Sequence, residues 1–225
     1  MAVIDLVRDH TIYSCVVGSR AYGLADENSD VDRRGVFLAP TPLFWSLDKP
    51  PTHLDGPGEE QFSWELERCC ELAVQANPTV LECLWSPIVE QVDETGRELI
   101  AMRGAFLSRR LEDTYGSYAR DQFKRLEATR NRTGQVKWKQ AMHMLRLLMA
   151  GISVLGTREI LVDMAEHRAE LLAVKRGERS WEEVKSWAAR LGAGLERAAT
   201  LTTLPPEPDR LAVNDFLGRV RRAHI

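Results

Sequence analysis

The chain has 225 residues, 44% of them hydrophobic, which is enough apolar sequence for one large domain or two small ones with a sizeable core. Its formal net charge of −3 at pH 7 excludes a protein that coats nucleic acid through bulk positive charge, while leaving local basic patches possible. No apolar run approaches the roughly 20 residues of a membrane-spanning helix, so we expect no membrane association. The first ten residues mix charges of both signs with a short apolar run, unlike a signal peptide.

The four cysteines do not have the paired C-x-x-C spacing that is typical of metal sites. They are Cys15, Cys69, Cys70 and Cys83, and the adjacent pair falls in a segment with a helical pattern. We therefore expect all four to be reduced core or helix residues of a cytoplasmic protein.

The first predicted elements are a short helix over residues 1–10 and a buried strand over the apolar run 12–17. This strand ends at the turn Gly18-Ser19, where Ser19 can cap a short helix. A glycine at such a turn lets a phosphate approach the backbone, and exposed amides at a helix start attract anions. The turn therefore indicates a phosphate-binding cradle.

Two carboxylates follow, beginning eleven residues after Ser19 with Asp30 and continuing with Asp32. The second predicted strand runs over residues 32–38. If the aspartates belong to it, they point to one face, because side chains two apart in a strand share a face. Clustered carboxylates repel each other unless a cation lies between them, and oxygen ligands suit a hard ion such as Mg²⁺ or Mn²⁺.

Each of these motifs alone is most often an ordinary turn or a solvated loop. Together, in this order, they resemble the signature of the polymerase-β-like nucleotidyltransferases. More narrowly, residues 18–23 and 29–37 resemble a bacterial and phage family of polymerase-β-like proteins tied to RNA repair. The resemblance implies an α+β fold, with a small mixed sheet flanked by helices and then an all-helical C-terminal domain.

The later elements are predicted from the positions of Pro and Gly and from the periodicity of hydrophobic residues. A helical turn at 43–45 and a Pro- and Gly-rich loop over 49–58 precede a third strand at 60–64. A helix over 65–75 ends before Asn77-Pro78, where proline suits a new first helical turn. The remaining predicted helices are at 95–103, 106–113, 115–129, 134–155, 165–176, 180–198 and 208–223. The change from mixed strands and helices to helices alone predicts a catalytic core over residues 1–98 and a helical domain over 99–225.

The resemblance also implies a third acidic ligand on a neighbouring strand, and it places this ligand at Glu60. In relatives this acid precedes a helix start that matches Trp64-Glu65-Leu66 here. Glu59 stays the near alternative, whereas Glu65 is better explained as a helix N-terminal acid. If both Glu59 and Glu60 are solvated loop charges, the site has two carboxylates and can bind nucleotide without turnover.

Positive charge is concentrated in residues 101–146, which hold eleven Lys or Arg against four Asp or Glu. Two predicted helices joined by a turn at 131–134 carry polar residues at i, i+4 and i+7, namely Tyr118, Gln122 and Arg125 on the first and Lys139, His143 and Arg146 on the second. Antiparallel packing would let these faces converge on a triphosphate or an RNA end, since Arg matches phosphate geometry. The ordinary alternatives are a solvated helix face and, for His143, a packing role.

The family resemblance continues over residues 118–126, 139–148 and 173–177, so it covers nearly the whole chain. Gln140 departs from it, because relatives commonly carry histidine there. This departure weakens any direct chemical role at that position.

The resemblance implies a template-independent, two-metal nucleotidyltransferase that moves a nucleoside monophosphate from an NTP such as ATP to an acceptor hydroxyl, releasing pyrophosphate. An RNA 3′ end in RNA repair is the expected acceptor. A protein or small-molecule acceptor, or a non-catalytic nucleotide-binding module, stays open. The expected catalytic and metal-binding residues are Asp30, Asp32 and Glu60. The expected nucleotide-binding residues are Gly18, Ser19, Arg20, Tyr118, Arg125, Lys139, His143 and Arg146.

Overall fold

The computed structural model describes residues 3–225 and contains a five-stranded mixed sheet. The strands are β1 (Thr11–Val16), β2 (Arg33–Phe37), β3 (His53–Asp55), β4 (Gln61–Glu65) and β5 (Val89–Val92). Their order across the sheet is β3-β4-β2-β1-β5. The β2–β4 pair is parallel and the other pairs are antiparallel, so the predicted small mixed sheet is confirmed.

The rest of the regular structure is helical. The α-helices are α1 (Val3–His10), α2 (Gly18–Ala21), α3 (Leu66–Val74), α4 (Pro78–Leu84), α5 (Glu94–Ala101), α6 (Arg110–Thr133), α7 (Trp138–Thr157), α8 (Arg168–Lys175), α9 (Trp181–Leu201) and α10 (Arg210–Ala223). Short 3₁₀ turns lie at Thr41–Trp45, Arg103–Phe106 and Ala165–His167. Within residues 3–225, no helix combines the length and the apolar character needed to cross a membrane.

The chain forms two compact units that differ from the predicted division at residue 98. The sheet unit holds the chain up to Ala21, then Ala25–Leu107 and Pro208–Ile225, while the helical unit holds Tyr22–Leu24 and Ser108–Glu207. The last helix therefore packs with the sheet, although it follows the helical region in sequence. As a division between a catalytic and a helical domain, the boundary at 98 stays a prediction.

The core of the sheet unit forms where α1 packs on the sheet. Leu6 and Val7 are buried there against Phe37 and Ala39. Partly buried side chains from the 3₁₀ turn and β3 close this cluster, namely Leu43, Phe44 and Leu54. Phe37 belongs to β2, which directly follows the loop of the candidate site.

A buried ion pair joins α10 to the sheet. The carboxylate of Glu65 caps α3 by accepting from the Glu67 amide at 2.7 Å, and it also accepts from Arg221 of α10 at 2.7 Å. Glu65 is only 3% exposed, and burial raises the pKa of its carboxyl while Arg221 acts against that rise. The prediction that Glu65 serves a helix N-terminus is therefore confirmed.

The helical unit is organised around α7, in which twelve of the 20 residues are buried. The neighbouring helices α6, α8 and α9 all pack on it. The packing is close at Gly151, where an added Cβ would lie 2.9 Å from Leu195 and 3.1 Å from Tyr115. Ser180 and Glu183 form a capping box at the start of α9.

Several predicted elements differ from the structure. The prediction of two helices at 106–113 and 115–129 is wrong, because one continuous helix, α6, covers Arg110–Thr133. Gly116 lies inside α6 and has a packing role: a Cβ at this position would lie 3.4 Å from Leu195. The predicted turn begins only at Gly134, a left-handed cap with φ of 72°. Strands β3 and β5 were missed, since one lies in the Pro- and Gly-rich loop and the other is mostly exposed.

Candidate active site

The Gly-Ser turn packs directly on one of the two predicted aspartates. The amide of Val17 donates to the carbonyl of Asp32 at 2.9 Å, which brings the end of β1 beside the segment that enters β2. Gly18 has φ of +67°, and a Cβ at this position would lie 2.3 Å from Oδ2 of Asp32. Only glycine avoids both the left-handed strain and the collision. The cradle and the Asp32 carboxylate are therefore parts of one site.

Arg20 holds the loop that leads into the aspartates. Its guanidinium donates to the carbonyl of Ser29 at 2.9 Å and to that of Asp30 at 3.3 Å. The same loop is closed by Ser29, whose hydroxyl donates to the Asp26 carboxylate at 3.0 Å. These contacts give Arg20 a positioning role for the loop, and its predicted contact with nucleotide stays a prediction.

Asp30 and Asp32 lie just before the strand rather than in it. The regular strand β2 begins at Arg33, one residue later than predicted. Asp32 is half-buried against the turn, whereas Asp30 is exposed. The expectation that both residues belong to a regular strand is therefore wrong. The backbone hydrogen bond from Val17 to Asp32 holds Asp32 in place instead.

Glu60 lies in the turn before β4, next to Asp32 in backbone register. Parallel pairing sets Arg33 opposite Gln61, and the Arg33 amide donates to the Glu60 carbonyl at 2.9 Å. Glu60 itself has φ of +52°, a left-handed conformation that is strained for a residue with a side chain. The strand predicted from residue 60 begins at Gln61, and both Glu59 and Glu60 are exposed.

The carboxylates fit a hard cation by their chemistry, although they are not preassembled as a set of three. Oxygen ligands beside a phosphate cradle suit Mg²⁺ or Mn²⁺. Across residues 3–225, no three His, Cys, Asp or Glu side chains come together as a cation-binding group. Asp32 therefore lies beside Gly18, Asp30 is two residues before it on the loop, and Glu60 is close to Asp32 in backbone position.

The predicted basic face of α7 runs from solvent into the core. Lys139 is exposed, His143 is half-buried, and Arg146 is only 5% exposed. Burial first, and then the nearby charges of Arg146 and Lys139, lowers the pKa of His143 from 6.5 to about 4. His143 is therefore neutral at pH 7, and the positive charge among these three residues comes from Lys139 and Arg146.

Arg146 packs on the ring of Tyr22, which lies in the segment 18–23 and has no role in the sequence-based site. The guanidinium lies 3.7 Å from the Tyr22 ring centroid, and the His143 ring meets the same ring edge-on at 6.3 Å. Tyr22 also accepts from the Met164 amide at 3.0 Å. The sequence carries a signal for a role of Tyr22, because Tyr22-Gly23 directly follows the Gly-Ser-Arg-Ala segment.

On α6, the residues predicted to face a nucleotide are accessible. Tyr118 is 53% exposed, Arg125 is exposed and Gln122 is half-buried. Four residues join α6 to α7, and Tyr115 packs near Gly151, so the two helices run antiparallel as predicted. Their roles toward a ligand stay predictions.

Comparison with known proteins assigns the chain to a family. The family described as RlaP, RNA repair pathway DNA polymerase beta family, matches residues 5–219. The chain belongs to this family. It is also similar to the uncharacterized protein YcgL of Bacillus subtilis (strain 168), with 30% identity over 81 residues. That match covers 35% of this chain and 31% of YcgL, so the chain spans about a third of the length of this curated relative.

Membership in the RlaP family supports nucleotidyltransferase activity in a general sense, and it links the chain to RNA repair. The match covers almost all of both compact units, so the helical unit is part of the RlaP pattern and not an unrelated addition. Within this RlaP-family chain, the contact between Gly18 and Asp32 is the geometric feature that nucleotidyl transfer can use.

Proposed function

We propose that this chain is a metal-dependent nucleotidyltransferase that transfers a nucleoside monophosphate from an NTP to the 3′ hydroxyl of an RNA end. The observation that carries the proposal is the packing of Gly18 on Asp32, which puts a backbone open to phosphate beside a carboxylate. RlaP-family membership supports the class of reaction. The acceptor is argued from the family's link to RNA repair. We place the reaction in the cytoplasm, where the four buried thiols would stay reduced.

The residues of the sheet unit divide the work as follows. The backbone at Gly18 and Ser19 binds the triphosphate, and Arg20 keeps the Asp30 loop in place through its two carbonyl contacts. Asp30 and Asp32 would hold Mg²⁺ or Mn²⁺, which when bound neutralises phosphate charge and lowers the pKa of an acceptor hydroxyl. The acceptor hydroxyl loses its proton to solvent and its oxygen bonds to the α-phosphorus. The bond between the α-phosphorus and the oxygen that bridges to the β-phosphate breaks, and pyrophosphate leaves with that oxygen. Alignment of these groups supplies much of the rate.

Glu60 is proposed as the third carboxylate because its carbonyl is bonded to the Arg33 amide, directly after Asp32. Glu59 is the alternative, since it is equally exposed in the same turn. The variants Glu60→Gln and Glu59→Gln form a matched pair, because each removes one charge at an exposed position. We expect transfer to fall in Glu60→Gln and to be kept in Glu59→Gln. The opposite result would move the role to Glu59.

A second candidate function is a nucleotide-binding module without turnover. One observation favours it: among the described residues, no group of three carboxylates is preassembled. This candidate predicts NTP binding with neither pyrophosphate release nor labelled product under any acceptor. Label in a protein or small molecule instead of RNA would keep the enzyme class and change the acceptor.

The cradle is tested with two glycine variants that share the same backbone strain. Gly18 and Gly134 have φ of +67° and +72°, but an added Cβ meets Asp32 only at Gly18 and meets nothing within 4 Å at Gly134. We expect Gly18→Ala to weaken Mg-ATP binding more than tenfold by calorimetry, while Gly134→Ala binds like wild type. Equal affinity in both variants would show that the triphosphate does not lie at this turn.

A further inference from the structure

The helical unit contains a groove that shares no residue with the candidate active site. It lies between α6, α7 and α9 and has a volume of about 370 Å³. Its floor is made of small and apolar residues, among them Ala119, Met144, Leu148, Ala188 and Gly192. This volume falls in the range of small-molecule sites, roughly 300–1,000 Å³.

The two ends of the groove carry opposite charge. Two contacts between α6 and α9 show their relative direction: the rings of Phe123 and Trp181 stack with centroids 5.8 Å apart, and Gly116 packs against Leu195. Helices α6 and α9 are therefore antiparallel. One end of the groove consequently holds three carboxylates, Glu112, Asp113 and Glu196, and the other holds two ammonium groups, Lys124 and Lys185.

Arg120 lies between these ends. Its guanidinium folds back over Gly116, where an added Cβ would be 3.0 Å from Nη1. A guanidinium is planar and stacks on aromatic rings as well as binding anions. The distance from Asp113 to Lys124 along α6 is about 16 Å at 1.5 Å per residue. The groove thus offers an acidic end, an apolar floor with a planar cation, and a basic end.

We propose that this groove binds a mononucleotide. The phosphate lies at the basic end, where Lys124 and Lys185 supply ammonium donors. Lys185 also pairs with Glu182 at 3.1 Å, and an ammonium has three donors, so it can bind both anions. The base lies on the apolar floor and stacks against Arg120. The amino and hydroxyl donors of the base or ribose face the carboxylates at the other end, which only accept hydrogen bonds.

The site can be tested by filling it. Gly192 of α9 lines the groove and has nothing within 4 Å of an added Cβ, so Gly192→Leu starts a side chain into the groove from open space. Gly156 of α7 is equally open and lies outside the groove, so Gly156→Leu is the matched control. The probe is AMP, titrated by calorimetry into the full chain, with adenosine and inorganic phosphate as partial ligands.

We expect saturable AMP binding that is lost in Gly192→Leu and kept in Gly156→Leu. Lys124→Gln is expected to weaken AMP about tenfold and to leave adenosine unchanged. AMP binding is expected to survive Gly18→Ala, which separates this site from the cradle. The proposal fails if AMP does not bind, if Gly192→Leu binds it like wild type, if inorganic phosphate binds as tightly as AMP, or if Gly18→Ala removes the binding.

Discussion

Acidification is expected to destabilise the helical unit through a single histidine, His143. This side chain is half-buried on α7, beside the Tyr22 ring and between the charges of Lys139 and Arg146. Burial first, and then those charges, lowers its pKa from 6.5 to about 4. The folded protein therefore keeps His143 neutral over a pH range in which an unfolded chain protonates it.

The sign and size of the effect follow from that difference. Above pH 6.5 neither state binds the proton, so His143 contributes nothing to the pH dependence. Between pH 6.5 and about 4 only the unfolded state binds it, so stability falls as the pH falls. At about 1.4 kcal/mol for each pH unit, the full loss is at most about 3 kcal/mol, because partial exposure screens the charge.

The assay compares urea unfolding of wild type and His143→Gln from pH 7.5 to 4. Carboxylates titrate equally in both proteins, so the difference between the two curves isolates His143. We expect that difference to be flat above pH 6.5 and to change by a few kcal/mol below it. His53→Gln, changed at an exposed histidine, is the control for the substitution. An NMR titration that shows the His143 ring protonating between pH 6 and 7 would refute the reasoning.

Three further changes have definite expected outcomes. Arg221→Ala leaves the Glu65 carboxylate buried without its ion-pair partner and should lower the free energy of unfolding in urea by about 3–5 kcal/mol. Arg222→Ala, at an exposed arginine, should leave it unchanged, and equal losses in both variants would contradict the pairing. Gly96→Ala places a Cβ 2.1 Å from the Ile12 carbonyl oxygen and should lower the free energy of unfolding by about 1–3 kcal/mol. Gly104→Ala, where an added Cβ has open space, is the control, and an unchanged urea midpoint for Gly96→Ala would contradict the prediction. Lys139→Ala should flatten the salt dependence of single-stranded RNA binding by about 0.7 in the log–log slope, and an unchanged slope would mean that Lys139 contacts no phosphate.

The cradle and the sheet could be predicted because their signals are local. The apolar run before Gly18, the Gly-Ser turn and the spacing to Asp30 are contiguous in sequence, and each depends on backbone preferences. The helix predicted from residue 180 begins at Trp181, next to its local cap Ser180. The strain at Glu60 could not be read from sequence, since nothing marks a glutamate for a left-handed conformation.

Long-range pairing accounts for what the sequence did not reveal. The burial of Arg146 depends on a ring from Tyr22, more than a hundred residues away, so helical spacing alone could only place it on a polar face. The return of α10 to the sheet depends on Arg221 meeting Glu65. Such contacts are set by tertiary packing, which periodicity within one helix does not encode.

The central claim is that Asp32, held against Gly18, supports nucleotidyl transfer to RNA. The direct measurement incubates the full chain with Mg²⁺, ATP labelled at the α-phosphate, and RNA with a free or a blocked 3′ hydroxyl. We expect label in the free RNA only, with equal release of pyrophosphate, and a loss of roughly 10²-fold or more in Asp32→Asn with the fold unchanged by circular dichroism. Transfer that persists in Asp32→Asn, or label that enters RNA with a blocked end, would contradict the account.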